Sequence, residues 1–170
     1  MQERRLVKFR HSWLWLVTLL LIALDRWTKA LVVSREDLPI EVIPDLFSIV
    51  KVTNTGIAFG IFSSISSSIM NPLLAIVAAV VVIVLLYMLL FKDEPLPVRF
   101  SMHLLIAGAI GNSWDRLTYG MVIDFLDFSI SGHHWPSFNI ADASITTGLV
   151  IIFIFTILSS GKKSDVSKTD

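Results

Sequence analysis

The sequence predicts an all-α integral membrane protein with four transmembrane helices and a small extracytoplasmic β-sheet between helices 1 and 2. Three observations predict it. First, the 170 residues are 54% hydrophobic and 16% charged, with a mean hydropathy of +0.73, whereas soluble domains are roughly 45–50% apolar. Second, Pro72 to Phe91 carries no charge and Ala143 to Ser160 is a second uncharged run; about 20 such residues span the hydrocarbon core. Third, basic residues gather on one side of the expected spans. Arg4, Arg5, Lys8 and Arg10 precede helix 1, Lys92 and Arg99 flank the link between helices 2 and 3, and Lys162, Lys163 and Lys168 follow helix 4. The other side keeps Arg35 and Lys51, so both termini are expected in the cytoplasm.

The expected spans are about 12–33, 70–91, 98–116 and 140–160, in a single domain of residues 1–170. Segments 34–69 and 117–139 then lie outside the membrane, and 1–11, 92–97 and 161–170 in the cytoplasm. Helix 1 is basic and then apolar, but it runs into Asp25-Arg26-Trp27-Thr28-Lys29 without a small-residue cleavage site, so a retained helix is expected. In the first outer segment, Phe47-Ser-Ile-Val-Lys-Val-Thr53 has strand character, Asn54-Thr-Gly56 marks a turn, and Ile57 to Phe62 is apolar enough to lie on the membrane surface. Helix 2 is aliphatic on every face. Pro95 and Pro97 shape a tight cytoplasmic turn. Residues 117–137 mix aromatic and polar residues irregularly. His103 reads as an interfacial residue, His133 and His134 as loop features, and the tryptophans as interfacial anchors.

The formal net charge is zero, which leaves no global attraction to nucleic acid. Absence of cysteine excludes disulfides, thiolate metal sites and a cysteine nucleophile.

Polar residues recur with helical spacing at one depth. Asp25, Thr28 and Lys29 share a face of helix 1, Asn112, Asp115 and Arg116 a face of helix 3, and Asn139, Asp142 and Thr146 a face of helix 4. The expected topology brings all three stripes, with Asn54 and Asp124, to the outer boundary. There they should converge, because facing one another is cheaper than facing lipid. Ala107, Gly108 and Gly111 permit the close helix approach this requires. Two carboxylates confined together are pushed to opposite protonation states, which suits one as general base on water and the other as acid toward a carbonyl. Asp124 and Asp142 are the candidates, with Asp115 and Asp127 as competitors. Asp115 reads more simply as a group orienting Arg116, Asp127 as a solvated loop carboxylate, and Asp25 with Lys29 as an intrahelical ion pair. An ion-coupled transporter or a metal-dependent membrane hydrolase could use the same aspartates, although the polar groups are confined to one depth where a transport pathway would have to cross.

Five strings together resemble the lipoprotein signal peptidases, the signal peptidase II family. They are Asp25-x-x-Thr28-Lys29, Asn54-x-Gly56-x-Ala58-Phe59-Gly60, Gly111-Asn112-x-x-Asp115-Arg116, Val122-Ile123-Asp124-Phe125 and Phe138-Asn139-x-Ala141-Asp142. The resemblance implies an aspartic endopeptidase of the bacterial inner membrane whose dyad is Asp124 and Asp142. It implies that Asn54, Gly56, Asn112, Arg116 and Asn139 line the substrate site, supported by Asp25, Lys29 and Asp115. The implied substrates are prolipoproteins carrying a diacylglyceryl cysteine, and the implied surroundings are membrane lipids. No cofactor or metal is expected, and the chain should act as a monomer. Ile57 stands where the family often has a smaller residue.

Overall fold

The computed structural model describes residues 11–55 and 67–166. Gly56, the Ile57 to Phe62 surface segment and the basic residues before His11 lie outside the described residues. The chain runs α1 (Trp13–Val33), β1 (Ile40–Ile43), β2 (Phe47–Asn54), α2 (Ser67–Phe91), α3 (Leu96–Tyr119), β3 (Val122–Ile130), β4 (His133–His134) and α4 (Ile140–Val166). Among the described residues, two helices, α2 over Ser68–Phe91 and α4 over Ile140–Ser159, are long and apolar enough to cross a membrane. The other two, α1 and α3, carry polar stripes along their length, and α4 carries its own at its start.

Burial follows a pattern suited to lipid rather than water. Leu16, Leu19, Ile76, Ile83 and Phe153 are exposed, while Asp25, Lys29, Asn112, Asp115 and Asn139 are buried. In hydrocarbon the apolar groups are the compatible ones outside, and polar groups must find partners inside.

Helix α3 is the hub, packing against α1, α2 and α4. Small residues allow this. A Cβ on Gly108 would collide with the Ala141 carbonyl and the Ile145 side chain, and one on Gly111 would lie 2.9 Å from Asp25 Oδ2 and 3.0 Å from Ala141 Cβ. Toward the cytoplasmic end of the expected topology, Leu85 and Leu89 of α2 pack on Met102 and Ile106 of α3. His103, expected at the interface, is instead buried there. It lies 2.8 Å from the Thr18 hydroxyl, with its ring edge-on to Trp15 at 4.5 Å. A polar ring facing α1 can be satisfied by one hydroxyl, so it need not reach the headgroups.

The sheet differs from expectation. It has four antiparallel strands in the order β1-β2-β3-β4, so half of it comes from the connection between α3 and α4, not from the first outer segment alone. Strand β3 was obscured because both its faces are covered. Ile123 and Phe125 pack on Val32 of α1, while Val122 and Asp124 turn the other way and line a cavity. A strand buried on both faces loses the apolar-polar alternation by which strands are recognised. Its start is fixed by Gly120, whose left-handed conformation (φ +69°) ends α3 and whose N–H bonds to Arg116 O. Its far end turns through Ser131 (φ +51°) and Gly132 (φ +77°), which gives the positive-φ pair of a tight hairpin.

Close approach of α3 and α4 predicts that Gly108→Val destabilises the fold by about 2–3 kcal/mol, the upper part of the range for overpacking. Thermal unfolding of the purified variant in micelles should show a clearly lowered Tm. An unchanged Tm would refute the contact.

Candidate functional site

The site is built in two layers. The lower layer is a set of alternating charges contributed by α1 and α3. Lys29 Nζ lies 3.0 Å from Asp25 Oδ2 and 2.8 Å from Asp115 Oδ2. Arg26 spans the same two carboxylates at 2.7 Å and 2.5 Å. Each carboxylate also accepts a backbone N–H from a segment bearing the upper layer. Asp25 Oδ1 takes that of Ala141, at 3.1 Å, and Asp115 Oδ2 that of Ile123, at 3.3 Å. Buried ions are tolerated only when paired and hydrogen-bonded, and here the pairing fixes where α4 and β3 begin.

The upper layer holds Asp124 and Asp142 among three asparagines. Asn112 Oδ1 receives Lys29 Nζ at 3.3 Å and Asn139 Nδ2 at 3.2 Å. With its oxygen so occupied, Asn112 turns its Nδ2 to Asp142 Oδ1, 2.7 Å away. Asn139 and Asp142 cap α4 reciprocally: Asp142 N donates to Asn139 Oδ1 at 2.9 Å, and Asn139 N donates to Asp142 Oδ2 at 3.2 Å. This is the capping-box arrangement, with both partners short. The Nδ2 of the same Asn139 donates to Asp124 Oδ1 at 2.6 Å, and Asn54 Nδ2 donates to Asp124 Oδ2 at 3.2 Å.

Both carboxyls therefore share Asn139 and open onto one cavity of about 950 Å³, which Asn54, Asn112 and Arg116 also line. Arg116 donates to Asn112 O at 3.4 Å and lies in the attractive fields of Asp142, Asp124 and Asp115. Burial pushes the Asp124 carboxyl up to about 6, and the charge of Asp142 adds to the rise; the Asn54 and Asn139 donors and Lys29 oppose it. The arrangement thus presents two carboxyls, Asp124 with its proton held more tightly than usual, to a polar group in the same cavity. Among the described residues, no group of three or more His, Asp or Glu side chains is placed to hold one metal ion.

The structure brings together Asp124, Asp142, Asn54, Asn112, Arg116 and Asn139, and sets Asp25, Lys29 and Asp115 directly beneath. Two features escaped the sequence reading. Arg26 joins the charged layer although it lies off the stripe of Asp25 and Lys29; its long side chain reaches back. Asp127 is not the solvated carboxylate expected. It is buried on the opposite face of β3 from Asp124, and His134 Nδ1 lies 2.8 Å from its Oδ2.

An apolar exterior, a small antiparallel sheet and two carboxyls on a common cavity, Asp124 buried and Asp142 half-buried, point, as a class, to a membrane-embedded enzyme. A family model described as signal peptidase (SPase) II matches residues 17–158. The lipoprotein signal peptidase of Desulforapulum autotrophicum is 37% identical over 165 residues, covering 93% of this chain and 96% of that protein. That of a Sulfurihydrogenibium species is 41% identical over 138 residues, covering 79% and 85%. A bacterial membrane enzyme solved by the in meso method superposes with a TM-score of 0.81 at 30% identity, covering 91% of this chain and 93% of that one. The chain belongs to the signal peptidase II family, a family of bacterial membrane proteases.

The raised Asp124 carboxyl gives a signed stability prediction. Between about pH 4 and pH 6 the folded chain keeps a proton on Asp124 that the unfolded chain, with its ordinary value of 3.8, has released. Stability therefore falls as pH rises through that window, by roughly 3 kcal/mol for a two-unit shift. Thermal unfolding in micelles from pH 4 to pH 7 should show this slope in the unaltered protein, flattened in Asp124→Asn. Parallel curves would contradict it.

Proposed function

We propose that this chain is an aspartic endopeptidase that cleaves the signal peptide from diacylglyceryl-modified prolipoproteins immediately before the lipidated cysteine. The observation that carries the reading is the shared Asn139, which holds Asp124 and Asp142 on one cavity. The relatives named lipoprotein signal peptidase supply the substrate class.

The chemistry follows from the pair. Asp124, pushed toward the neutral form, donates a hydrogen bond to the scissile carbonyl and makes it a better electrophile. Asp142 takes a proton from water, and the resulting hydroxide adds to the carbonyl carbon. Collapse of the tetrahedral intermediate breaks the C–N bond as a carboxyl proton passes to the departing amine. Asn112 and Asn139 hold the two carboxyls in place throughout. Arg116 sits on the same cavity wall, where its charge moderates repulsion between the aspartates and helps seat the peptide.

The proposed topology is multi-pass in the bacterial inner membrane, with four spans, both termini cytoplasmic and the site near the outer face. The apolar lining contributed by α2 and α4 agrees with a substrate delivered from the bilayer. Leu74, Val77 and Val81 of α2 and Ile145 of α4 line the same cavity as Asp124 and Asp142. A monomer suffices, since one chain supplies both carboxyls.

Purified Asp124→Asn and Asp142→Asn should each fold and cleave a lipidated prolipoprotein at least ~10³-fold more slowly, the scale of lost acid–base catalysis. Asp37→Asn, on an exposed ion pair with Arg35, should cleave at the unaltered rate. Full turnover by either dyad variant would overturn the assignment. Prolonged treatment with a chelator should leave the rate unchanged; loss of activity restored by a divalent cation would instead favour a metal-dependent hydrolase.

A further inference from the structure

The outer wall of the cavity comes from a short strap between β4 and α4. Trp135, Pro136, Ser137 and Phe138 line it together with Thr53 and Asn54 at the end of β2. A peptide held at the dyad shares this cavity with the strap and the end of β2, so the position of the strap shapes the space open to it.

Little holds the strap from its own sequence. It is fed by a strand of two exposed residues, His133 and His134, and a hairpin that short is marginal alone. At its far end Phe138 is well anchored. Its N–H donates to Leu126 O at 3.1 Å, its carbonyl accepts from Phe125 and Leu126 N–H, and its ring stacks on Phe128, which stacks on Phe47. At the near end stand the short β3–β4 ladder, pairing Ser129 with His134 and Ile130 with His133, a further backbone bond from Trp135 N to Phe128 O at 2.8 Å, and a side-chain contact from His134 Nδ1 to Asp127 Oδ2 at 2.8 Å.

That contact is unequal in a telling way. Asp127 is 7% exposed, whereas the His134 side chain is 62% exposed. A buried carboxylate needs a partner, and the partner available arrives only when β4 folds back on β3. The interaction works with neutral or charged imidazole, since either can donate through Nδ1. Asp127 itself points away from the cavity, on the face of β3 opposite Asp124.

We propose that Asp127 and His134 form a latch that holds the Trp135–Phe138 strap in place as the outer wall, and so position the substrate without touching it. This rests on the peptidase reading above. His134 is a positioning residue, not a catalytic one, and its loss affects capture of the peptide rather than the chemical step.

A cysteine pair makes the test clean, because the chain has no cysteine of its own. Ser129 and His134 are directly opposite in the β3–β4 ladder, and cross-strand neighbours fall within the span a disulfide bridges. In detergent, with a lipidated prolipoprotein as substrate, His134→Ala should raise KM about fivefold or more, the scale of a partly exposed ion pair, with kcat within about twofold. His134→Lys should restore KM. The Ser129→Cys, His134→Cys double variant should show the raised KM when reduced and recover it when oxidised, with Tm recorded for both forms. Equal KM in the two redox forms, or a loss confined to kcat, would overturn the latch. So would a reduced form that fails to fold, which would show that the pair holds the fold instead of the strap. If the unaltered protein fails to cleave the prolipoprotein at all, the peptidase reading falls, a result distinct from cleavage with an unmoved KM.

Discussion

Everything in this molecule depends on how charge is accommodated among helices whose outer surfaces are hydrocarbon. Asp25, Asp115, Lys29 and Arg26 form a closed set of two anions and two cations. Each member would be untenable there alone. The set ties α1 to α3, and its spare carboxylate valences hold the backbone where β3 and α4 start. The asparagines above therefore rest on a base whose geometry is fixed by electrostatics rather than by shape alone.

Above that base, orientation is passed on by amides. An asparagine offers an oxygen and an NH₂ group, and which end faces which neighbour is decided by the donors around it. Lys29 occupies the oxygen of Asn112, so its NH₂ faces Asp142. The N–H of Asp142 occupies the oxygen of Asn139, so its NH₂ faces Asp124. A neutral side chain in each position thus carries a directional preference set by a charge or a helix end several ångströms away.

Much of this was legible in the sequence, and the rest was hidden for definite reasons. The pairing of Asp25 with Lys29 follows from helical spacing. Convergence of Asn112, Asp115, Asn139 and Asp142 follows from their common depth between apolar runs. Strand β3 was hidden because its two covered faces and its aspartates remove the alternation a strand normally shows. The partner of Asp127 was hidden because His134 reaches it only through a hairpin, and neighbouring histidines in a polar stretch carry no signal of direction. Arg26 was hidden because periodicity describes Cβ positions, while a guanidinium travels far from its own. Local rules found the helices and the polar cluster; strand β3, contacts between β-segments and the reach of long side chains required the folded chain.

Asn139 illustrates how tightly the start of a helix and the proposed chemistry are joined. A serine there could cap α4 equally well, yet it has no amine with which to reach Asp124. An aspartate could cap it too, but would set a third negative charge between the other two. Since α4 begins where Asn139 and Asp142 grip each other, sliding that boundary by a single residue would rotate residue 142 about 100° around the helix axis and out of reach of Asn112. Secondary-structure phasing and the assembly of the acidic pair are thereby one event, and both demands fall on a single side chain.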